Sequence, residues 1–420
     1  MKTDKSLELF ERLLKVMPGA NTRSVTHYEP FPIGIDHGRD CRVWDVDGNE
    51  YIDFVNNYTP LVHGHAHPRI VDAIANTAAR GTAFPATTEL QAELAERIVT
   101  RTPCIEQLRF TNSGSEAVLM AVRGARAYTG RDELVMPAGG YHGTWEQVAL
   151  EAIEMPTEDE DEGDDGRSGI PRGIPDALVD LMHFVRYNDI DHLEELMAEH
   201  GDRVACIIME PILGHSLQEG DPAFVRAALR LAHEHGAVLV IDEVVTGRLC
   251  VGGWTAQHDV KPDLTTLGKT IGGGLPVGAF GGSAEVMSVF DPRRSDCVPS
   301  HGTFNGNSLV MAAGCASLDL LDQPAIDRIN EMGDAFAARM QTAVDVAGVD
   351  VRVVNVGSLL HAHSSDCWAL HAACLEEGLF IAPRGSMNIS TVMDEAVLDE
   401  AAGRWERALQ RVKVAQATAV

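Results

Sequence analysis

From residue 61 onwards, short apolar segments alternate with helical ones, and this alternation constrains the fold more than any other feature of the sequence. The helical segments include SEAVLMAVRGARAYTG, after the first apolar segment, and PAFVRAALRLAHEHG, before the fourth. Apolar strands separated by helices are typical of α/β domains with a mainly parallel sheet. We therefore predict an α/β fold built on such a sheet. The predicted strands are residues 107–111, 133–137, 205–210, 237–242, 264–268 and 277–282.

The two ends of the chain have a different pattern. The N-terminal segment predicts a helix at residues 5–16 and a short hairpin, RVWDVDGNEYIDF, that turns at Asp47-Gly48. The C-terminal segment predicts a helix, two strands and a further helix. A chain of 420 residues is long enough for two domains. We expect a large domain at residues 61–320 and a smaller α/β domain formed by residues 1–60 and 321–420.

The net charge of the chain limits the kinds of molecule that it can bind. The formal net charge is −28, and the acidic, Gly- and Pro-rich segment at residues 154–175 predicts an exposed loop. So negative a surface argues against nucleic acid as a partner. Only six of the 34 basic residues are lysines. Because salt screens the self-repulsion of an acidic surface, we hypothesise a halophilic source, with a GC-rich genome that favours arginine as the alternative.

The sequence also bears on the compartment. The N-terminal apolar residues are interrupted by charges at helical spacing, unlike a signal peptide, and no apolar run approaches 18 residues. We therefore expect a cytoplasmic protein with no membrane partner. Eight cysteines are scattered without a CxxC pair, which predicts buried, reduced thiols.

The segment LTTLGKTIGGGLPVG places Lys269 beside glycines, which is compatible with two chemistries. The lysine of a phosphate-binding P-loop needs a glycine five residues before the Gly-Lys pair. Asp263 occupies that position and would repel phosphate. The alternative is a lysine that forms an imine with a cofactor, and this is the interpretation that we favour.

A cofactor such as pyridoxal phosphate needs a lysine, a carboxylate for its ring nitrogen, an anion site and a flat group beside its ring. Asp242 ends an apolar strand 27 residues before Lys269. The run Ser113-Gly114-Ser115 lies between a strand and a helix, where free N–H groups and the helix dipole bind anions. Tyr141 follows another strand. Ligands bind at strand ends in open α/β sheets, so the order of these residues favours a cofactor site.

Eight motifs together resemble one family. The chain is similar to the class III, fold-type I (aspartate-aminotransferase-like) pyridoxal-phosphate aminotransferases. Within them it resembles the branch of glutamate-1-semialdehyde aminomutase and the β-amino acid (β-phenylalanine) aminotransferases. The resemblance runs from about residue 15 to residue 410. The motifs are WDVDGNEYIDF, GHAHP, NSGSEA, YHG, MEP, DEVVTGR, TLGKTIGGGLPVGAFGG and HGTFNGNSLVMAAG.

The resemblance implies roles for several residues. Lys269 would form the imine and shuttle protons, Asp242 would pair with the pyridinium nitrogen, and Glu210 would lie near the substrate side of the cofactor. Ser113, Gly114 and Ser115 would hold the phosphate. Val244 and Tyr141 would pack on opposite faces of the ring. Thr303 would reach the phosphate from the neighbouring subunit, which implies a homodimer. Many relatives carry Gln or Met where this chain has Val245, so no polar contact to the cofactor is expected there.

Two segments help to distinguish the aminomutases from the β-amino acid aminotransferases within this family. The aminomutases carry a VNSPVR-like loop near the N-terminus, whereas this chain has ANTRSVTHYEPFP, which is similar to the β-amino acid enzymes. The segment GLFIAPRGSMNIST resembles their C-terminal part. Arg23 and Arg384 are therefore candidates for carboxylate binding, and Tyr58 for the substrate wall. We expect a β-amino acid donor and 2-oxoglutarate or pyruvate as acceptor, with the aminomutase reaction as the alternative.

Two histidine-rich segments are compatible with metal binding by composition. These are HGHAH, with His63, His65 and His67, and HAHS at residues 361–364, near Cys367. The family has a GH-HP motif at a loop-to-helix junction at the first of these positions. We therefore expect no metal ion at either.

Overall fold

The computed structural model describes residues 1–146 and 172–418, so most of the acidic segment at 154–175 lies outside the described residues. The helices are α1 (Asp4–Leu14), α2 (Pro68–Ala78), α3 (Glu89–Arg101), α4 (Gly114–Thr129), α5 (Asp176–Val179), α6 (Ile190–His200), α7 (Pro222–Glu234), α8 (Gly253–Gln257), α9 (Ala284–Met287), α10 (Ser308–Leu320), α11 (Gln323–Ala347), α12 (Cys367–Glu376) and α13 (Glu395–Thr418). The strands are β1 (Ile35–Arg39), β2 (Arg42–Asp45), β3 (Glu50–Asp53), β4 (Gln107–Thr111), β5 (Glu133–Pro137), β6 (Met182–Val185), β7 (Val204–Met209), β8 (Val238–Asp242), β9 (Leu264–Gly268), β10 (Gly278–Gly282), β11 (Val351–Val356), β12 (Leu359–Ser364), β13 (Leu379–Phe380) and β14 (Ser386–Asn388).

The chain divides into two units. The first contains Met1–Asp72 and Leu320–Val420, and the second contains Ala73–Asp319. Each is described by itself below.

A seven-stranded sheet of order β4-β10-β9-β8-β7-β5-β6 forms the centre of the second unit. Strands β6, β5, β7, β8 and β9 are parallel, and β10 is antiparallel to both β9 and β4. Every strand except β10 therefore points the same way. The predicted α/β fold with a mainly parallel sheet is confirmed, and the six predicted strands are found to within one residue.

Helix α4 packs across this sheet. Its residues Ala117, Ala121 and Ala125 are fully buried and recur every four residues, so they share one face of the helix. Their small side chains let the helix backbone lie close to the buried strand residues Ile208 and Val240 in the same cluster. The sheet thereby fixes the start of α4 beside the carboxyl end of β4.

The first unit contains two small sheets. One has the order β1-β2-β3-β13, and the other has the order β11-β12-β14. The predicted N-terminal hairpin is present as antiparallel β2 and β3. Helices α11, α12 and α13 pack on these strands, and Trp405 of α13 is fully buried and donates its indole N–H to the Met340 carbonyl.

The cysteines and the hydropathy of the helices can now be compared with the expectations from composition. All eight cysteines are free thiols, but only Cys41, Cys206, Cys315 and Cys374 are buried, so the predicted burial is wrong for the other four. These four lie at partly exposed positions of the fold, where a small thiol is tolerated beside solvent. Within the described ranges, no single helix has the length and hydropathy of a membrane span.

Candidate active site

Asp242 is the last residue of β8, and its carboxylate is held by three donors. The Oδ1 atom accepts from the Thr266 hydroxyl at 2.9 Å and from the Val244 N–H at 3.0 Å. The Oδ2 atom lies 2.9 Å from Nδ1 of His142. Because a carboxylate only accepts, His142 is the donor in this last bond. Asp242 and His142 are 4% and 1% exposed, so this negative charge is held in the interior.

Lys269 follows β9 directly and takes a left-handed backbone conformation, with φ of 49°. It begins a single 3-10 turn over Lys269–Gly272, so no long helix starts at the Gly-Lys pair as a P-loop would need. Burial lowers the pKa of Lys269, and the carboxylates of Glu210 and Asp242 oppose the shift. At a given pH, the neutral form of the amine is therefore more populated than in a solvated lysine.

Glu210 follows β7 and is 3% exposed. Its Oε2 accepts the Tyr141 N–H at 2.9 Å, and its backbone carbonyl accepts the Tyr187 hydroxyl at 2.8 Å. Burial raises the pKa of Glu210 to about 7, against the opposing charges of His142 and Lys269. Glu210 is thus poised to gain or lose a proton near neutral pH.

The start of α4 provides an anion site. The Ser113 side chain caps the helix by accepting the Glu116 N–H at 3.1 Å. The N–H groups of Gly114 and Ser115, in the first turn, have no acceptor within the helix. A Cβ on Gly114 would lie 3.1 Å from Val244, and one on Gly268 would lie 3.3 Å from it. Val244 is therefore packed between the first turn of α4 and the end of β9.

Tyr141 and Thr303 lie on exposed loops of the second unit. Tyr141 follows β5, is 36% exposed, and shares its loop with Gly143, which packs closely on Ser115. Thr303 is exposed, and Phe304 beside it is 59% exposed. Asn305 in the same loop accepts from the Asn112 side chain at 2.7 Å, which anchors the loop near the start of α4.

The three candidate substrate residues lie together within the first unit. The Arg23 guanidinium lies 5.8 Å from the Tyr58 ring centroid and donates to the Asn57 side chain at 2.8 Å. Burial raises the pKa of Tyr58, and the positive charges of Arg23 and Arg384 oppose this shift. Both guanidinium groups are therefore close enough to Tyr58 for their charges to act on it.

This tyrosine is carried by an unusual backbone segment. Asn56, Asn57, Tyr58 and Thr59 all have positive φ, at 45°, 54°, 63° and 86°. Such a conformation costs a non-glycine residue on the order of 1–2 kcal/mol. Buried hydrogen bonds from Asn56 to Asn388 hold the segment in place.

Two of the three histidines of the HGHAH segment have hydrogen-bond partners in the first unit. His65 Nε2 lies 2.7 Å from Asp53, and His63 Nδ1 lies 2.9 Å from the Thr391 hydroxyl. His361 bonds to the Ser386 hydroxyl at 3.3 Å.

Five sequence-predicted residues are brought to one edge of the large sheet. Ser113, Tyr141, Glu210, Asp242 and Lys269 each follow a strand of the same direction, so their backbones leave the sheet at its carboxyl edge. Sequence reasoning missed His142, although it stands in the quoted YHG motif. Only the fold reveals that its ring contacts Asp242.

The residues at this edge fit pyridoxal phosphate. A carboxylate has about four acceptor positions, and Asp242 uses three, which leaves one for a pyridinium N–H. The lysine has a lowered pKa, as imine formation requires. The start of α4 provides N–H donors for a phosphate.

Comparisons with known proteins identify the family of the chain. The family model for class-III aminotransferases matches residues 24–411. A β-phenylalanine transaminase from Variovorax paradoxus is 39% identical over 93% of this chain and 89% of its own length. A glutamate-1-semialdehyde 2,1-aminomutase from Persephonella marina is also 39% identical, over 87% and 85%. A solved transaminase with pyridoxal phosphate bound has a TM-score of 0.93 and 35% identity over 99% of both chains. The chain therefore belongs to the class-III aminotransferase family, and it is a pyridoxal-phosphate-dependent transaminase.

Proposed function

We propose that this enzyme moves an amino group from a β-amino acid to a keto acid such as 2-oxoglutarate or pyruvate. The observation that carries the proposal is that Arg23 lies over the Tyr58 ring and that Arg384 is close enough for its charge to act on the same tyrosine. Guanidinium forks bind carboxylates in a bidentate manner, and donor and acceptor each carry at least one carboxylate. The similarity to the β-phenylalanine transaminase supports the same substrate class.

Each residue at the sheet edge has a role in this proposal. When bound, pyridoxal phosphate supplies a ring that takes up the electron pair released at the substrate carbon. Asp242 would hold the ring nitrogen, and Gly114 and Ser115, with Ser113, would hold the phosphate. Val244 and Tyr141 would contact opposite faces of the ring. Lys269, once neutral, would take the proton from the amine-bearing carbon and deliver it to the cofactor.

Glu210 has a separate part in the proposal. It lies within electrostatic reach of Lys269, and its pKa near 7 suits a group that exchanges a proton during turnover. We assign it to the substrate side of the cofactor.

A second candidate is the intramolecular amino transfer of a glutamate-1-semialdehyde aminomutase. It is favoured by the equal, 39% identity to such an enzyme. The two reactions differ in one respect, because an aminomutase needs no external keto acid.

A half-reaction separates them. The holoenzyme is mixed with each of a panel of β-amino acids, without any acceptor, and the cofactor absorbance is followed. We expect conversion to the pyridoxamine form with at least one donor, and return of the original spectrum on adding 2-oxoglutarate or pyruvate. No conversion with any donor, together with turnover of glutamate-1-semialdehyde, would favour the aminomutase.

The role of the arginines is tested separately. Arg23→Gln and Arg384→Gln should raise KM for donor or acceptor by roughly tenfold or more, since each removes a charge-assisted carboxylate contact. Arg39→Gln is the control, because the Arg39 side chain in the same unit is 81% exposed. If Arg384 binds the second carboxylate of 2-oxoglutarate, its variant should leave KM for pyruvate unchanged.

We also propose a homodimer in which Thr303 reaches the phosphate bound by the partner subunit. The exposed Thr303 and the 59% exposed Phe304 beside it support a subunit contact at this loop. Hybrid dimers of Lys269→Ala with Thr303→Asp chains test it. If Thr303 acts across the interface, each hybrid keeps one intact site and recovers activity that neither parent has. Inactive hybrids would place Thr303 with its own chain's site.

The remaining expectations concern the source. We propose a cytoplasmic enzyme adapted to high salt, on the ground of its charge of −28 and its six lysines. The salt test is given below.

A further inference from the structure

Three potential metal ligands meet at the opposite edge of the large sheet from Lys269. Glu133 is the first residue of β5, His183 lies in β6, and His200 ends α6. Each offers one ligand atom, and these atoms all lie within 4.8 Å of one another. In the described residues this is the one such cluster of three.

The sheet register explains why the side chains converge. His183 is paired with Val135 in the parallel β5–β6 ladder, and Glu133 lies two residues before Val135. Side chains two residues apart share a face of a strand, as do paired neighbours. Glu133 and His183 therefore share one face of the sheet, and the end of α6 brings His200 to them.

The distances describe a cluster that is already almost assembled. His183 Nε2 lies 2.7 Å from Glu133 Oε2, and His200 Nδ1 lies 4.0 Å from the same oxygen. The two imidazole rings are stacked, with centroids 4.0 Å apart. All three side chains are partly buried, with 14–23% exposure, so an ion there is shielded but can be reached from solvent.

We propose that Glu133, His183 and His200 form a binding site for a divalent transition-metal ion of the zinc class. Bonds of 2.0–2.2 Å in a tetrahedral site imply ligand atoms about 3.4 Å apart. The observed 2.7 Å and 4.0 Å separations bracket this value and must change by about 0.7 Å and about 0.6 Å, and the third separation, between the two imidazoles, is at most 4.8 Å. A fourth position remains for water. Two imidazoles and one carboxylate suit zinc, whereas calcium and magnesium prefer oxygen ligands.

Arg203 donates hydrogen bonds to two of the three proposed ligands. Its Nε donates to Glu133 Oε1 and its guanidinium also donates to His200 Nδ1, both at 2.6 Å. The ion must displace this guanidinium from His200. The Arg203 side chain is 51% exposed, so it can turn towards solvent. Arg203 is thus a built-in competitor, and its loss should strengthen metal binding.

A bound ion would stabilise the packing of the edge strand β6 against its neighbours. It joins the edge strand β6 to β5 and to α6, and the proposed cofactor residues lie at the opposite edge of the same sheet. Metal binding should therefore raise thermal stability and leave transamination unchanged. The proposal departs from the sequence expectation of no metal, because its ligands lie 50 and 17 residues apart and form no motif.

The first experiment titrates metal-free holoenzyme with zinc by calorimetry, and with cobalt by visible absorbance. We expect one zinc per chain, and cobalt d–d bands typical of a tetrahedral site with nitrogen and oxygen ligands. A thiolate-to-cobalt charge-transfer band would assign binding to a cysteine and overturn the proposal.

Variants locate the ion. Glu133→Gln and His200→Asn should each weaken zinc binding by at least about 100-fold and abolish the rise in melting temperature. His233→Asn is the control, since His233 also pairs with a carboxylate, Asp263, but belongs to no three-ligand cluster. Arg203→Met should tighten zinc binding by roughly tenfold, which an adventitious surface site does not predict. Unchanged affinity in Glu133→Gln and His200→Asn, or weaker binding in Arg203→Met, would overturn the proposal.

Discussion

His142 and Asp242 lie 100 residues apart in the chain and meet through a 2.9 Å hydrogen bond between two buried side chains. The other imidazole nitrogen, Nε2, has no partner within the part of the chain that the structure describes. The ring is thus held by Asp242, and in return it orients the carboxylate. His142 is a positioning residue, since it acts on the cofactor site through Asp242.

His142→Phe should weaken cofactor binding and lower kcat by roughly tenfold to 100-fold. The reason is that a buried carboxylate that loses a donor costs about 1–3 kcal/mol. His142→Asn, which keeps an N–H donor, should recover part of the loss. Cofactor dissociation constants from absorbance and steady-state kinetics measure both, with exposed His27→Asn as control. Equal loss in both variants would indicate a packing role instead.

Lys269→Ala should abolish transamination, because in the proposed mechanism its amine both bonds the cofactor and moves the proton. Borohydride treatment of the holoenzyme, followed by mass analysis of peptides, should find the cofactor fixed on the peptide with Lys269. Lys261→Ala, at an exposed site eight residues earlier, should keep activity and label. A wild-type protein without cofactor colour or label would indicate a binding protein that kept the fold.

Glu210→Gln should change how the stability of the apoenzyme depends on pH. The pKa of Glu210 is raised from 4.5 to about 7 in the folded state, so the folded chain binds more protons than the unfolded chain between these values. The contribution of Glu210 to the stability of the wild type must therefore fall as pH rises through that window, by roughly 3 kcal/mol.

Glu210→Gln lacks this titration, so the difference between its stability and that of the wild type should grow from pH 4.5 to about 7. Urea unfolding at a series of pH values measures the difference. Glu199→Gln, with a side chain 78% exposed, is the control. Parallel curves for wild type and Glu210→Gln would contradict the raised pKa.

Thr59→Gly should stabilise the protein by on the order of 1 kcal/mol. Thr59 has φ of 86° and its buried hydroxyl has no partner among the described residues. Glycine removes the backbone strain and the unsatisfied hydroxyl, which together exceed the loss of the Cβ and methyl carbons and the backbone entropy cost of glycine.

Thr88 provides a matched control, because its hydroxyl is equally unpartnered within the described chain but its φ is −124°. Thr88→Gly should therefore destabilise, since no strain is relieved and glycine costs backbone entropy. Thermal melts compare the two variants. Effects of the same sign would refute the assignment of strain to Thr59.

Salt should stabilise this enzyme. The self-repulsion that comes with a charge of −28 acts over about 10 Å at 0.1 M salt, and over about 3 Å at 1 M. Unfolding relieves the repulsion, so screening favours the folded state. We expect the melting temperature to rise steadily over this range in potassium chloride. A flat profile would remove the case for a halophilic source.

Most strands of the large sheet, and the residues that follow them, could be predicted from the pattern of apolar residues in the sequence. The apolar runs predicted β4, β5, β7, β8, β9 and β10, because buried parallel strands have few polar interruptions. The residues after them reach one edge for the same topological reason. The reversed direction of β10 was not predicted, because the hydrophobic pattern of a strand does not show whether it runs parallel or antiparallel to its neighbours.

Other features depend on contacts between distant parts of the chain. Strand β6 was missed, because it has four residues and only two of them are buried. The partnership of His142 with Asp242 and the meeting of Glu133, His183 and His200 depend on strand order. The left-handed run at residues 56–59 was also not expected, because asparagine, tyrosine and threonine in sequence do not prescribe it.

Val244 lies between Gly114 and Gly268, with 3.1 Å and 3.3 Å to a Cβ built on either glycine. Substitution of either glycine by alanine alone therefore meets a valine methyl group, whereas the same substitution after Val244→Ala does not. The order in which mutations arise should thus decide which are viable, so this site can diverge only along certain evolutionary paths. Libraries that vary these three positions together will find active sequences that stepwise libraries exclude.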